Sequence, residues 1–270
     1  MKDFVSAQFL YNCLDMQFKP DLVTDVFPKK GLQYHNTDIV RKVYTATFAN
    51  PTVIDEIIKR GEKEVMLFTH HPKPPMPSIV NGYSELTEEY IKKLKDNKIT
   101  LFSFHIPLDV FGTYAPGNAL GEALGANVFE SFYPQNGKDI GALCVCGYDT
   151  VYELRDKLAK ITGHEAKLYL YGDAKIQDGK FGILAGCAKN PGIYAWLKEH
   201  GINTFVTGTA APIVDWTVKN HAAAKEAGVN IISGTHCSTE KFAPIKMVQY
   251  FKNLGVDAEF IDEEPNLEEL

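Results

Sequence analysis

Val65-Met66-Leu67-Phe68-Thr69-His70-His71-Pro72 decides how this chain is read. The run from Val65 to Thr69 suits a strand buried on both faces, and it stops abruptly at two histidines and a proline. Pro72 lacks the N–H that a continuing ladder needs, so the strand ends where the imidazoles begin. Upstream, residues 52–59 carry Val53, Ile54, Ile57 and Ile58 at helical spacing and close at Arg60-Gly61. The order is helix, turn, strand, and then side chains that carry chemistry.

That order recurs. Residues 88–95 read as a helix, Asp96-Asn97 as a turn and 99–104 as a strand that runs into His105. In the second half, 182–185, 204–207 and 229–233 read as strands. They alternate with helices at 193–200, 214–227 and 239–253, the last with Ser238 or Thr239 as its N-cap. Such alternation predicts an α/β fold. Residues 129–179 are less regular, with turn signals at Pro134-Gln135-Asn136-Gly137 and Gly172-Asp173, and are expected to bridge two lobes. The expected lobes are 1–126 and 127–270, with the C-terminal segment free to pack back on the first. The tail 261–270, rich in Asp and Glu, reads as a solvated acidic terminus, a strap onto a neighbouring subunit being the alternative.

With 270 residues, 45% of them hydrophobic and 23% charged, the chain is long enough for one large domain or two modest lobes. A formal net charge of −6 argues against a sequence-independent nucleic-acid binder but leaves room for a local basic pocket. Cys13, Cys144, Cys146, Cys187 and Cys237 are dispersed and form no Cys-x-x-Cys pair, so they are expected to be reduced thiols. The opening MKDFVSAQFLYNCLDMQF lacks a cationic stretch followed by a continuous apolar core, and no apolar run approaches the roughly 20 residues of a membrane helix. A cytoplasmic protein without membrane attachment is expected. Gly121 and Gly125, or the run from Gly182 to Gly186, form neither a dinucleotide fingerprint nor a Walker loop.

The candidate chemistry lies in the histidines. Eight histidines give a neighbouring pair by chance about a fifth of the time. They also predict about one His followed four residues later by an acid; two occur, His105/Asp109 and His236/Glu240. Like His70-His71, each follows a strand, and ligands of open α/β sheets gather at the carboxyl ends of strands. His35, His164, His200 and His221 fall in loops or at polar helical positions. Imidazoles mixed with carboxylates suit zinc, iron or manganese. Spacing alone fits a metal site and three unrelated, hydrogen-bonded strand-end histidines equally well.

Taken together, Gly31-Leu32-Gln33, Thr69-His70-His71-Pro72, His105-Ile106-Pro107-Leu108-Asp109, Pro116-Gly117-Asn118-Ala119-Leu120 and Gly234-Thr235-His236-Cys237-Ser238-Thr239-Glu240 resemble the dinuclear-metal family of GTP cyclohydrolase 1 type 2 homologues, also called NGG-one-interacting-factor-three-like. Tyr171-Gly172-Asp173, Leu184-Ala185-Gly186 and Val206-Thr207-Gly208 fall in the family's order and extend the resemblance over nearly the whole chain. The resemblance implies two similar α/β lobes with a dinuclear metal site in the cleft between them. It names His70, His71, Asp109, His236 and Glu240 as ligands of two divalent ions, and implies a homohexameric ring. The chain departs from the family at Tyr34-His35, at Gly137-Lys138-Asp139-Ile140-Gly141 and at Thr209, where an acid is common; these positions bear on the substrate pocket, not on the ligands.

Two such ions sharing a water make hydrolysis the natural reaction class. The expected activity is hydrolysis of a small, nucleotide-like substrate, with Glu240 as bridging carboxylate; His105 either orients Asp109 or donates a proton to the leaving group, and a strand-end histidine satisfied by backbone fits it equally well. The alternative is a non-catalytic hexameric ring that binds metal or partner proteins. Thr235, Ser238 and Thr239 are available to substrate oxygens, though Ser238 and Thr239 fit helix caps better.

Overall fold

The computed structural model describes residues 4–76, 82–135 and 137–270; Met1–Asp3 and Asn136, the latter part of the expected 134–137 turn, lie outside the described residues. The chain forms two compact units, 1–110 with 243–264, and 111–242 with 265–270. The expected change of lobe at residue 126 is not where the units part, because the helix starting at Pro116 packs on strands of the second unit.

The first unit begins with β1 (Val5–Ser6), α1 (Ala7–Phe18), β2 (Gly31–Tyr34), β3 (Ile39–Val40) and β4 (Lys42–Phe48). It continues through α2 (Pro51–Lys59), β5 (Val65–His71), α3 (Glu88–Asp96), β6 (Ile99–Ser103) and α4 (Ile106–Asp109). The second unit holds α5 (Pro116–Ala123), β7 (Asn127–Gln135), β8 (Lys138–Val145), α6 (Val151–Thr162), β9 (Lys167–Tyr169) and β10 (Lys180–Leu184). It then runs through α7 (Gly192–Glu199), β11 (Thr204–Thr207), α8 (Asp215–Ala227), β12 (Asn230–Ser233) and α9 (His236–Glu240). The chain returns to the first unit with α10 (Phe242–Asn253) and β13 (Asp257–Phe260).

In the first unit the sheet order is β13-β4-β5-β6-β2, parallel except for β2. Every residue of β5 is buried, as a central parallel strand requires. Alternate side chains serve opposite faces. Tyr44, Leu67 and Leu101 join Val53, Ile54 and Ile57 of α2 and Leu94 of α3. On the other side Phe68 meets Phe251 of α10 at 5.5 Å, and Phe102 stacks on Tyr11 of α1 at 5.5 Å. α2 starts where Pro51 supplies a preset φ and the Asn50 side chain accepts the Thr52 N–H.

The second unit repeats the scheme around the parallel trio β10-β11-β12, flanked by antiparallel β8, β7 and β9. Phe205 and Ile231 face α7 and α8, whereas Val206 and Ile232 face α5 and α6. Residues 129–179, expected to be an irregular bridge, instead hold most of the β7/β8 pair, α6 and β9. The exposed positions of β7 obscured it, since an edge strand carries fewer apolar side chains than a central one. Among the described residues, no helix is long and apolar enough to cross a membrane.

The first unit also seals a carboxyl group from the acidic tail. Glu263 is 8% exposed and its Oε2 accepts the N–H groups of Thr47 and Phe48 at 2.8 and 3.0 Å, at the end of β4. Burial pushes this carboxyl up to about 8, and the two backbone donors only partly oppose the shift. The folded state therefore retains a proton that the unfolded chain releases above the ordinary carboxylate range. The stability associated with this proton is fully present below that range and is lost as pH rises through about 8. We expect Glu263→Gln to flatten this dependence. Thermal melts should show the variant gaining on the parent as pH rises from 5 to 9; parallel pH profiles would contradict the buried neutral acid.

Candidate metal centre

Each unit places a histidine and carboxylate set at the carboxyl ends of its parallel strands. In the first, β5 closes with His70 and His71, both fully buried. Successive strand residues ordinarily point to opposite faces. Here pairing with β6 ends at Thr69 and Ser103, and the two imidazole rings lie 4.3 Å apart. The chain leaving β6 is tied to the same place: Phe104 N–H donates to the Thr69 carbonyl, and Ser103 Oγ donates to the His70 carbonyl.

His70 is oriented by its far nitrogen. Nδ1 lies 3.0 Å from the Phe104 carbonyl, which can only accept, so Nδ1 carries a proton and, in the neutral imidazole, Nε2 carries the lone pair. Nε2 stands 3.3 Å from Asp109 Oδ1. His105 caps the short helix α4, whose first turn brings Asp109 beneath it, with His105 Nε2 3.7 Å from Asp109 Oδ2. The ligand atoms of His70, His71 and His105 all lie within 4.8 Å of one another. Phe48 stacks on His71 at 4.5 Å, and Phe27 meets His105 edge-on at 5.0 Å, so aromatic surface walls these rings.

In the second unit, α9 carries His236 and Glu240 one turn apart, with His236 Nε2 3.1 Å from Glu240 Oε2 and both residues buried. The expected caps are corrected here. The N-cap is Thr235, whose Oγ1 accepts the Ser238 N–H while Ser238 Oγ accepts the Thr235 N–H. Thr239 Oγ1 donates to the Thr235 carbonyl and accepts the Gly186 N–H, so these buried hydroxyls serve the helix. The helix expected over 239–253 is two helices, α9 and α10.

Gly186 explains why the Leu184-Ala185-Gly186 stretch ends in glycine. Its φ is +71°, and a Cβ there would overlap Glu240 Oε1. Gly208, after β11, is as tight, with a Cβ 2.7 Å from Thr239 Oγ1. Bare backbone at the ends of β10 and β11 is what lets α9 approach.

Donors fixed about 2.0–2.2 Å from one divalent ion sit about 3–3.5 Å apart. The His70–Asp109 and His236–Glu240 separations fall in that range, and each imidazole presents Nε2 with Nδ1 anchored, the construction metal-ligating histidines show. The buried His and Glu groups among them are able to hold a metal ion.

Spacing in the sequence missed four residues. Asp25, its side chain 1% exposed, accepts from His105 Nδ1 at 2.8 Å and from the N–H groups of Phe27 and Ile106 at 3.0 and 2.9 Å. Burial raises its pKa, but these donors outweigh burial and hold it below the usual carboxylate range. Cys187 Sγ stands 3.5 Å from His236 Nδ1 and 3.2 Å from Thr209 Oγ1, so a thiol does border the second set. Gly186 is the third. The fourth is Glu269, 7% exposed, whose carboxylate accepts the His236 N–H at 2.6 Å while its carbonyl accepts from Ala210 and Ala211. The acidic tail is thus not simply solvated: burial raises the Glu269 pKa against the opposing influence of His236.

The other histidines have local duties. His35 bonds Tyr11 and Asp38, His164 the Glu165 carbonyl and His200 the Trp196 carbonyl. His221, expected at a polar position, is buried between Tyr171 Oη and the Ala210 carbonyl, both at 2.6 Å.

Replacing Gly186 tests the close approach. Gly186→Ala strains a left-handed position by about 1–2 kcal/mol and drives the Glu240 carboxylate from its place. We expect a modestly lower denaturation midpoint with at least a tenfold loss of zinc affinity by calorimetry; unchanged affinity would show that Glu240 does not depend on this gap.

Comparison with known proteins agrees with the architecture. A GTP cyclohydrolase 1 type 2 homolog from Borreliella burgdorferi is 26% identical over 269 residues, covering 95% of this chain and all of the relative. One from Chlamydia trachomatis is 26% identical over 255 residues, covering 92% and 94%. A Thermus thermophilus structure superposes with a TM-score of 0.75 at 20% identity, covering 97% of this chain and 100% of its own. Reduced HcgD from Methanocaldococcus jannaschii gives 0.72 at 20% identity, covering 96% and 99%. The Duf34/NIF3 (NGG1p interacting factor 3) family model matches residues 5–266, and the chain belongs to that family.

Proposed function

We propose that this chain is a cytoplasmic, divalent-metal-dependent hydrolase of a small, nucleotide-like substrate, with His70, His71, Asp109, His236 and Glu240 as ligands of two ions. The observation that carries this reading is the shared construction of the two sets: an anchored, buried imidazole whose Nε2 stands 3.1–3.3 Å from a carboxylate oxygen, part-buried in Asp109 and buried in Glu240. Bound cations supply polarisation of an electrophilic centre and a lowered pKa for water. The name carried by the relatives, GTP cyclohydrolase 1 type 2 homolog, supports the nucleotide-like substrate.

The protein's own groups account for the rest. The Phe104 carbonyl orients the His70 ring through Nδ1, so that Nε2 is directed to the set. Asp109 and Glu240 would bring the negative charge that offsets bound cations, and Glu240, with Oε2 3.1 Å from His236 Nε2 and Oε1 beside Gly186, would be among the residues that hold them. Phe48 covers the fully buried His71 and Phe27 one side of the part-buried His105, and the lower polarity beside these rings strengthens their electrostatic interactions. We assign the assembly as a homohexamer.

Metal-replete protein should turn over members of a panel of nucleoside triphosphates, cyclic nucleotides and phosphodiesters, and His70→Ala/His71→Ala should reduce turnover to that of metal-stripped protein. Failure across the panel by protein that retains its metal would favour the non-catalytic ring. Light scattering should return six times the chain mass.

A further inference from the structure

We propose that His105 is itself a cation ligand, and that Asp25 is the positioning residue that makes it one. The inference rests on the metal-binding part of the reading above and is independent of hydrolysis.

Its ground is a comparison of three histidines within their own units. His70 anchors Nδ1 on the Phe104 carbonyl at 3.0 Å and presents Nε2 to Asp109 Oδ1 at 3.3 Å. His236 has Nδ1 3.5 Å from Cys187 Sγ and presents Nε2 to Glu240 at 3.1 Å. His105 repeats the pattern, with Nδ1 2.8 Å from Asp25 Oδ1 and Nε2 3.7 Å from Asp109 Oδ2. Its outer anchor is the strongest of the three, a buried carboxylate rather than a carbonyl or a sulfur.

Asp25 is built for that task. Oδ1 accepts both His105 Nδ1 and the Phe27 N–H, while Oδ2 accepts the Ile106 N–H, so the carboxylate is locked to the first residue of α4. An ionised carboxylate can only accept, which places a proton on His105 Nδ1, so that the neutral imidazole carries its lone pair on Nε2. Phe27 then fixes the ring plane from the side, at 5.0 Å and 75°.

At 3.7 Å, Nε2 and Asp109 Oδ2 are too far apart for a hydrogen bond. That is just beyond the usual range of about 3–3.5 Å, and two donors about 2.0–2.2 Å from one ion span such a gap at an angle of about 115–135°, wider than tetrahedral. Asp109 would thereby use one oxygen beside His70 and the other beside His105. The three imidazoles of this unit, with ligand atoms within 4.8 Å of one another, form one donor group.

The test uses the full chain stripped of metal and titrated with cobalt(II) or zinc(II) alone. His105→Gln should weaken binding about 100-fold. Asp25→Asn, which can offer an N–H to Nδ1 and so favours the opposite tautomer, should weaken it about 10–100-fold. X-ray absorption of the zinc form should count one imidazole fewer in His105→Gln, and the cobalt d–d bands should shift in both variants. If His105→Gln does not fold, the near-isosteric Asp25→Asn carries the same test through affinity and spectrum. Unchanged affinity and unchanged spectra in folded variants would overturn the ligand assignment while leaving the five-residue metal centre intact. A parent protein that binds neither ion would overturn both, and metal binding with the expected losses but without turnover on any panel substrate would uphold this inference and sink only the hydrolase.

Discussion

The bond between His70 Nδ1–H and the Phe104 carbonyl, at 3.0 Å, is the interaction on which the first donor set turns. A fully buried imidazole has to be given partners by the fold, because water does not reach it. By taking its proton to a carbonyl just beyond β6, His70 sets its own tautomer and staples the ends of two parallel strands together. The Ser103 hydroxyl bonded to the His70 carbonyl reinforces the same join. The lone pair on Nε2 is then a consequence of sheet geometry. It requires β5 and β6 to end within a residue or two of each other, which their register, Thr69 opposite Ser103, provides.

The second unit reaches a similar result by another physical route. There the ligand pair sits on α9, a helix of five residues that has little stability of its own. It is held by contact: Thr239 bonded to the Gly186 N–H, the Thr235–Ser238 capping box, and the Glu269 carboxylate on the His236 N–H. Such contact requires bare backbone at the strand ends. Glycine at 186 and 208 provides it, at the expense of the side-chain packing those positions would otherwise offer.

These two routes explain which parts of the site the sequence discloses. The parallel strands are legible because burial on both faces forces continuous apolar runs such as Val65–Thr69, and the histidines that terminate those runs stand out against them. The i, i+4 pairs of His105 with Asp109 and His236 with Glu240 are legible because a single helical turn fixes their spacing. Asp25 is illegible. It lies 80 positions from His105, in a loop without periodicity, and only tertiary structure brings the two together. Cys187 is hidden for the same reason, 49 positions from His236. The β7 edge strand escaped because half-exposed strands lose the apolar signal that central strands carry.

The acidic tail shows the limit of composition as a guide. Asp and Glu concentrated in the last ten residues favour a solvated end on average, yet Glu263 and Glu269 are among the most buried carboxylates of their units. What overrides composition is unfilled backbone valence elsewhere. Thr47 and Phe48 at the end of β4 present N–H groups to Glu263, and His236 at the start of α9 presents one to Glu269. A carboxyl oxygen is a strong acceptor for such donors, so burial of these groups is partly offset by directed bonds, two N–H groups on Glu263 and one on Glu269. The offset is incomplete, since burial still raises both carboxyl groups above their ordinary range. The tail is thus held by the same requirement that shapes both donor sets: a polar group that the fold has buried must be met by another that the fold has also brought there.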